Sequence, residues 1–413
     1  YSLGFRVFSL SNNHSYDKGA AGIDASREHW AAMPDDVVSM GFYNLDTYDD
    51  YVYQTVNGIT FGYLSYTEHT NGLPTPSGAT YGVVYLDDRD TIARQIAAMR
   101  PNCDVLVVSA HWGTEGTHVV NDFQKDTAQW LADQGVDLII GTDPDADRTG
   151  IVLKDKSGEY VTLSGNQVGV LLTDYIITAK KLTNTMPAHP AVLKSIVTTE
   201  MARAAAEKNG VACFDTFTGF KFLAEKIKQF EKDGSHEYIF AFEESYGYLC
   251  GDYARDKDAV TASMLIAEMA AYYRTQGKTL YDAMEEMYEK YGYYCEQTIS
   301  IVMPGVSGLQ RMKELMQELR DKPLTAVGPD KVDFTRDYMP GTRTCMADGR
   351  VEQMELKGQN VMYYELEGGT TFIIRPSGTE PKVKVYIMAK GANKAEAEAK
   401  VDVLAAAAKE IVK

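Results

Sequence analysis

A chain of 413 residues with 45% apolar residues has material for roughly two to four ordinary domains. Its formal charge of -17 disfavours nucleic acid and anionic membrane as partners, since both are polyanions. No apolar run approaches the about 18 residues of a membrane-spanning helix, so no membrane insertion is expected. Cys103, Cys213, Cys250, Cys295 and Cys345 are scattered without a C-x-x-C pair and read as reduced thiols of a cytoplasmic protein. The chain starts at Tyr1 with no Met or signal-like segment, as a fragment or processed product would.

In chain order, the apolar stretch FRVFSL runs into Asn12, Asn13, His14 and Asp17. YVYQTV and ITFGYLSY are strand-like runs joined through Asn57-Gly58, a pair suited to a tight hairpin. Over residues 89–99 the spacing of Ile92, Ile96 and Met99 predicts a helix, and residues 105–109 an apolar strand, giving one β-α-β rhythm. His111, Trp112 and Glu115 follow that strand. Asn121, with Gln124 three residues on, predicts a capped helix whose apolar side is Phe123, Trp130 and Leu131 and which ends at Gly135. Asn and His at strand ends are what dinuclear metallophosphoesterases use as ligands, which makes these two polar clusters a candidate metal site. Hydrogen-bonded structural residues are the alternative.

Residues 136–150, VDLIIGTDPDADRTG, read as a buried parallel-sheet strand ending in a loop that crowds Asp143, Asp145 and Asp147. Three adjacent carboxylates raise one another's pKa unless a hard cation neutralises them, and Mg2+ suits carboxylate oxygens with retained water. A solvated acidic turn is the plainer alternative. A hairpin about Lys156-Ser157-Gly158 follows, then a helix from Asn166 carrying Val168, Leu171, Leu172 and Tyr175 inward, and a linker over residues 184–190. SIVTT, residues 195–199, opens a further unit, and the small-residue loop at 216–221, with Lys221 beside it, can approach a phosphate through backbone N–H groups, an ordinary turn being the plainer alternative. IFAF leads into Glu243, Glu244 and Ser245, groups able to hold sugar hydroxyls. A helix over 260–276 stops at Gly277, and Thr279 with Asp282 forms a capping box. Near the end, FIIRPSGTEPKVKVY sets Arg375, Ser377, Gly378, Thr379 and Lys382 between two strands, the groups that phosphate capture needs. Asn393 with Glu396 caps a final Ala-rich helix.

SNNHSYDKG, YLSYTEHTNGLP and SAHWGTE resemble CapA-type capsule or poly-γ-glutamate synthesis proteins over about residues 1–142. That resemblance implies a metallophosphatase-like fold, a cell-surface location, and Asn13, His14 and His111 as ligands or acid-base groups. Two parts of the pattern are missing: an early acidic ligand would precede Tyr1, and Asp143-Pro144-Asp145 replaces its Gly-Thr-His-Pro-His loop. DPDADR, GNQVGVLLTDY, EESYG, RDKD and RPSGTEP resemble the α-D-phosphohexomutases, which include phosphoglucomutase and phosphomannomutase. This implies one Mg2+ held by Asp143, Asp145 and Asp147 with Arg148 in support, and a sugar 1,6-bisphosphate activator. It also implies a phosphosugar contacted by Glu243, Ser245, Arg255 and Lys257, joined by Lys221, and phosphate held by Arg375, Ser377, Gly378, Thr379 and Lys382. Tyr246-Gly247-Tyr248 stands where many hexomutases carry Gly-His and resembles the phosphopentomutase-like branch, leaving hexose or pentose open. The family's phosphoserine segment, Ser-His-Asn-Pro in type, is absent.

The expected architecture is an α/β multidomain protein. It comprises an incomplete metallophosphatase-like α/β part over residues 1–142, the end of the second phosphohexomutase domain over 143–184, the third over 185–294, and an α+β phosphate-binding domain over 295–413. The join near Thr142, made by recombination or by an assembly error, should leave unpaired edges and poor packing around residues 136–165. The expected activity is that of an intramolecular phosphotransferase, inactive alone without its serine. A CapA-type metallophosphoesterase and a non-catalytic phosphosugar-binding remnant are the alternatives.

Overall fold

A computed structural model of the chain describes residues 6–56, 58–113, 121–135, 138–143, 145–377 and 381–412. It divides into two compact units, Tyr1–Ser164 with Gly251–Ala283, and Gly165–Cys250 with Met284–Lys413.

In the first unit, strand Ile59–Thr67 runs parallel to Val105–His111, with Thr67 opposite His111. Helix Arg89–Met99 connects them, its first turn capped by the Asp88 carboxylate and its face of Ile92, Ile96 and Met99 buried. Strand Val52–Val56 pairs antiparallel with Ile59–Thr67, with Val56 opposite Ile59. That register leaves a two-residue connection, and Gly58 takes the positive φ such a turn demands; Asn57 lies outside the described residues. Helix Asp122–Asp133 carries the Asn121/Gln124 capping box. Leu64, Tyr66, Ile92, Leu106, Val108, Leu131 and Ile139 meet in one core.

The parallel strand expected at residues 136–140 is corrected. Residues 136 and 137 lie outside the described residues, and strand Ile139–Thr142 pairs antiparallel with Thr149–Lys154. The connection, residues 143–148, falls short of the dozen or more that a parallel crossover needs. Thr149–Lys154 pairs in turn with Tyr160–Leu163, closing the expected hairpin. The packing expected to be poor here is not: Ile139 belongs to the main core of the unit, with Val152 and Tyr160 packed against it. The two outer strands have no further hydrogen-bonded neighbour among the described residues. Helix Ala259–Thr275 sets Ala271 into a second core with Met40, Phe61, Tyr63 and Val105.

The second unit starts with helix Gly165–Leu182 against a sheet ordered Ala212–Thr216, Pro190–Ser195, Glu237–Glu243, Gly247–Leu249. The first three strands are parallel and the last closes an antiparallel hairpin. The helix lies close because it carries glycine where it touches: a Cβ on Gly169 would sit 2.0 Å from the Phe242 ring, and one on Gly165 2.2 Å from the Glu244 carbonyl oxygen. SIVTT is the strand's exit rather than its body. Only Ser195 is in the strand, and Thr199 caps helix Glu200–Lys208.

A larger antiparallel sheet follows, in which Tyr293–Val302, Lys382–Gly391, Thr371–Pro376 and Met362–Leu366 lie side by side. Alternation along Lys382–Gly391 divides its faces. Val383, Val385 and Ile387 pack with Leu315 and Leu404 of helices Gly305–Asp321 and Lys394–Ile411. Tyr386 and Met388 pack on Ile196, Val197 and Phe217.

Between these layers Lys194 is fully buried, its Nζ 2.8 Å from Glu200 Oε1 and 2.9 Å from Asp215 Oδ1. The same ammonium donates to the Thr198 carbonyl at 3.1 Å. Arg203 bridges the two carboxylates, 2.9 Å from Glu200 and 2.7 Å from Asp215. Burial alone would drive the Lys194 pKa down, but Asp215 and Glu200 hold it above its usual value. Lys194→Met should lower the free energy of unfolding by about 3–5 kcal/mol in urea titration, because it strands buried carboxylates; a loss under about 1 kcal/mol would contradict this.

Candidate functional site

The aspartate loop connects two antiparallel strands, and its shape comes from its own backbone. Asp143 Oδ1 accepts the N–H groups of Asp147 at 3.0 Å and Arg148 at 2.9 Å. Ala146 takes a left-handed φ of 55°, which costs an alanine about 1 kcal/mol. The turn brings one oxygen from each of Asp143, Asp145 and Asp147 within 4.8 Å of the others. Asp147 Oδ1 is buried without a hydrogen-bond partner, and Arg148 Nε lies 3.5 Å from it and 3.9 Å from Asp143 Oδ2. Asp147 Oδ2 is 2.8 Å from Lys257 Nζ.

Burial pushes the Asp143 carboxyl up, with Asp147 and Asp145 adding to the rise against the two backbone N–H groups. At Asp147 burial acts in the same sense, but the hydrogen bond and charge of Lys257 outweigh it and the pKa falls. An all-oxygen donor set with an unsatisfied carboxylate oxygen fits a hard divalent cation such as Mg2+. Arg255 belongs to the same unit and is exposed.

The other candidate of the first unit lies at the ends of its parallel strands. His111 Nε2 is 3.1 Å from Asn13 Oδ1, so the proton sits on Nε2. Asn13 Nδ2 donates to Asn71 Oδ1 at 3.3 Å, and the Asn71 N–H to His69 Nδ1 at 3.4 Å. Burial, then the charges of His69 and His14, lowers the His111 pKa and favours the neutral ring. His14 pairs instead with Asp17, 2.9 Å away on the surface. Among the described residues no second trio of His, Cys, Asp or Glu converges as the aspartates do. Glu115 lies outside them. His69 and Asn71 escaped the residue-level reading although YLSYTEHTNGLP contains both.

In the second unit, the strand ending at Glu243 turns through Tyr246, φ 66°, into Gly247–Leu249. Glu243 is buried and its Oε1 accepts the Gly219 N–H at 2.5 Å, joining the sugar-type loop to the small-residue loop at 216–221. Lys221 stands exposed on the first turn of helix Phe220–Asp233, its Nζ 4.7 Å from the Phe222 ring centroid. Glu244 Oε2 accepts from Ser195 and Thr198 hydroxyls, both at 3.3 Å. Burial, then the Glu243 charge, raises its pKa to about 7, against the pull of Lys384.

The phosphate-type motif is the tip of a hairpin in which Arg375 lies directly opposite Lys384. The Ser377 N–H donates to the Lys382 carbonyl at 2.8 Å. Gly378 and Thr379 lie outside the described residues. Arg375 hydrogen-bonds Tyr386, whose pKa is raised to about 12 by burial and by Glu244 despite that arginine. Glu243 and Glu244 thus share their surroundings with Arg375 and Lys384. Lys384 and Tyr386 were not singled out from sequence; the period-2 run KVKVY, which puts Lys382, Lys384 and Tyr386 on one face, was the available signal.

Residues 1–149 match the family described as bacterial capsule synthesis protein PGA_cap. Residues 164–291 match phosphoglucomutase/phosphomannomutase alpha/beta/alpha domain III, and residues 346–406 the C-terminal domain of the same family. The chain therefore joins a PGA_cap segment to domains of the phosphoglucomutase/phosphomannomutase family. Phosphoglucomutase of Staphylococcus haemolyticus (strain JCSC1435) is 37% identical over 260 residues, 63% of this chain and 46% of that protein. Phosphoglucomutase of Staphylococcus aureus (strain MRSA252) is 36% identical over 267 residues, 64% of this chain and 47% of that protein. The chain spans about half the length of the curated relatives it matches. Among solved structures, a phosphoglucomutase/phosphomannomutase family protein from Burkholderia thailandensis aligns with a TM-score of 0.49 at 14% identity, over 84% of this chain and 60% of that one. Among the described residues no helix is long and apolar enough to cross a membrane.

Glu296, like Glu244, is raised to about 7 by burial, against a hydrogen bond from Thr199. Both carboxyls bind their proton more tightly folded than unfolded. Their contribution to stability is therefore full below the ordinary glutamate pKa of 4.5 and is lost as pH rises through about 7. Melting temperature should fall from pH 5 to about 8, and the double variant Glu244→Gln/Glu296→Gln should flatten that fall. An equally steep fall in the variant would contradict the assignment.

Proposed function

We propose that this chain binds a sugar phosphate with the machinery of a phosphoglucomutase-type intramolecular phosphotransferase and does not turn it over alone. One observation carries the reading: Arg375 lies directly opposite Lys384 at the hairpin tip, in the same surroundings as Glu243 and Glu244. Like charges facing across a ladder destabilise it, and an anion between them reverses that cost. Arg375, Ser377, Gly378, Thr379 and Lys382 would take the phosphate. Glu243 and Ser245 would accept from and donate to sugar hydroxyls, with Lys221 as a further contact. Asp143, Asp145 and Asp147, supported by Arg148, would hold Mg2+, which when bound supplies a positive charge that offsets the charge of a transferring phosphoryl group.

No Ser-His-Asn-Pro segment occurs in the 413 residues, so the covalent half of the reaction has no phosphoserine here. A sugar 1,6-bisphosphate belongs to the reading as the family's activator, and Tyr246-Gly247-Tyr248 leaves hexose or pentose open. In this reading the domains are residues 1–142, 143–184, 185–294 and 295–413. Five free cysteines support a cytoplasmic setting.

The Asn13–His111 pair at the strand ends favours a second reading, metallophosphoesterase chemistry of the capsule-synthesis type. Under it, Mn2+-dependent phosphoester hydrolysis should appear and vanish in His111→Ala; hydrolysis unaffected by that change would exclude the pair. For the first reading, a coupled assay with glucose 1-phosphate and glucose 1,6-bisphosphate should show no conversion, while calorimetry detects glucose 6-phosphate binding that Arg375→Ala weakens at least about tenfold. Measurable conversion would refute the inactivity, and unchanged affinity in Arg375→Ala would remove the phosphate site.

A further inference from the structure

We propose that Lys257 is the internal counter-ion of the aspartate loop and sets how tightly that loop takes a divalent cation. This rests on reading Asp143, Asp145 and Asp147 as a cation site, and it gives Lys257 a task beyond the substrate contact already assigned to it. The Lys257 ammonium lies 2.8 Å from Asp147 Oδ2, and its side chain is only 13% exposed. Asp256 also pairs with it at 3.2 Å.

The placement is built into the backbone on the lysine's C-terminal side. The Ala259 N–H donates to the Ala146 carbonyl at 3.0 Å, and the Ala259 carbonyl accepts from Thr149 Oγ1 at 3.1 Å. Asp258 then caps the following helix, accepting the N–H groups of Val260 at 2.9 Å and Thr261 at 3.3 Å. Two residues after Lys257, the chain is thus tied to both sides of the loop that presents Asp147.

The two oxygens of Asp147 have different surroundings. Oδ2 holds the ammonium, and Oδ1 is buried without a hydrogen-bond partner, beside Arg148 Nε at 3.5 Å. A cation entering among the three aspartates would use Oδ1 while Lys257 keeps Oδ2, so two positive charges share one carboxylate. With the Lys257 and Asp147 side chains 13% and 26% exposed, that repulsion is only partly screened. Without a cation, the same ammonium offsets part of the loop's charge through Asp147. Removing the charge of Lys257 therefore tightens cation binding, and keeping the charge with arginine preserves the native affinity.

Mn2+ stands in for Mg2+, since both take carboxylate oxygens. Titration of the full-length chain with Mn2+, followed by electron paramagnetic resonance of the free ion, should show Lys257→Met binding about tenfold tighter than wild type. Lys257→Arg should bind as wild type does, and Asp145→Asn added to Lys257→Met should abolish the gain, placing the ion at this loop. Circular dichroism checks that each variant is folded; should Lys257→Met not fold, Lys257→Gln is read in its place. Equal and measurable affinity in wild type and the neutral variant would overturn the proposal while leaving the cation site standing. Weaker binding in the neutral variant would also overturn it. No binding by any form would overturn the proposal together with the cation reading.

Discussion

Three carboxylates within residues 143–147 cannot be folded side by side unless their charge is met, and the first unit meets it from three directions. Backbone N–H groups of Asp147 and Arg148 point at Asp143, Arg148 leans on Asp143 and Asp147, and Lys257 reaches Asp147 from a distant part of the chain. The last of these has a structural consequence. With Ala259 hydrogen-bonded to Ala146 and Thr149, the segment Gly251–Ala283 joins the N-terminal unit, although sequence similarity places it with domain III of the mutase family.

The second unit is organised by close approach and alternation. Glycines at 165 and 169 let a helix lie directly on the strand and turn that carry Glu243 and Glu244. The strand Lys382–Gly391 sends Val383, Val385 and Ile387 to one core and Tyr386 and Met388 to another. That division presents Lys384 opposite Arg375 and brings both into the field of the two glutamates. The buried Lys194 cluster lies beneath the same region, tying Thr198, which also receives the Glu244 N–H, to the strand before it.

Local structure was legible because its causes are local. The spacing of Ile92, Ile96 and Met99, the caps at Asn121 and Asn393, and the hairpin register around Gly58 follow from residues a few positions apart. The partner of Ile139–Thr142 was misread because an apolar run says nothing of strand direction; the length of the connecting loop decides it. Within the sites, residue types were readable but their company was not. Asn13 meets His111 across 98 positions and His14 turns to Asp17, a distinction that no spacing rule makes. The phosphate-type motif was visible as a string, yet Lys384 and Glu244 enter its surroundings only through sheet register and tertiary packing.

The two segments of this chain match different families, and under the proposed function a phosphosugar should engage only the second. Hydrogen–deuterium exchange of the full-length chain with and without glucose 6-phosphate separates the possibilities. Slowed exchange in Thr371–Pro376, Lys382–Gly391 and Glu237–Glu243, with Val7–Ser9 and Val105–His111 unchanged, is expected. Protection confined to the N-terminal strands, or none anywhere, would contradict a sugar-phosphate site in the second unit.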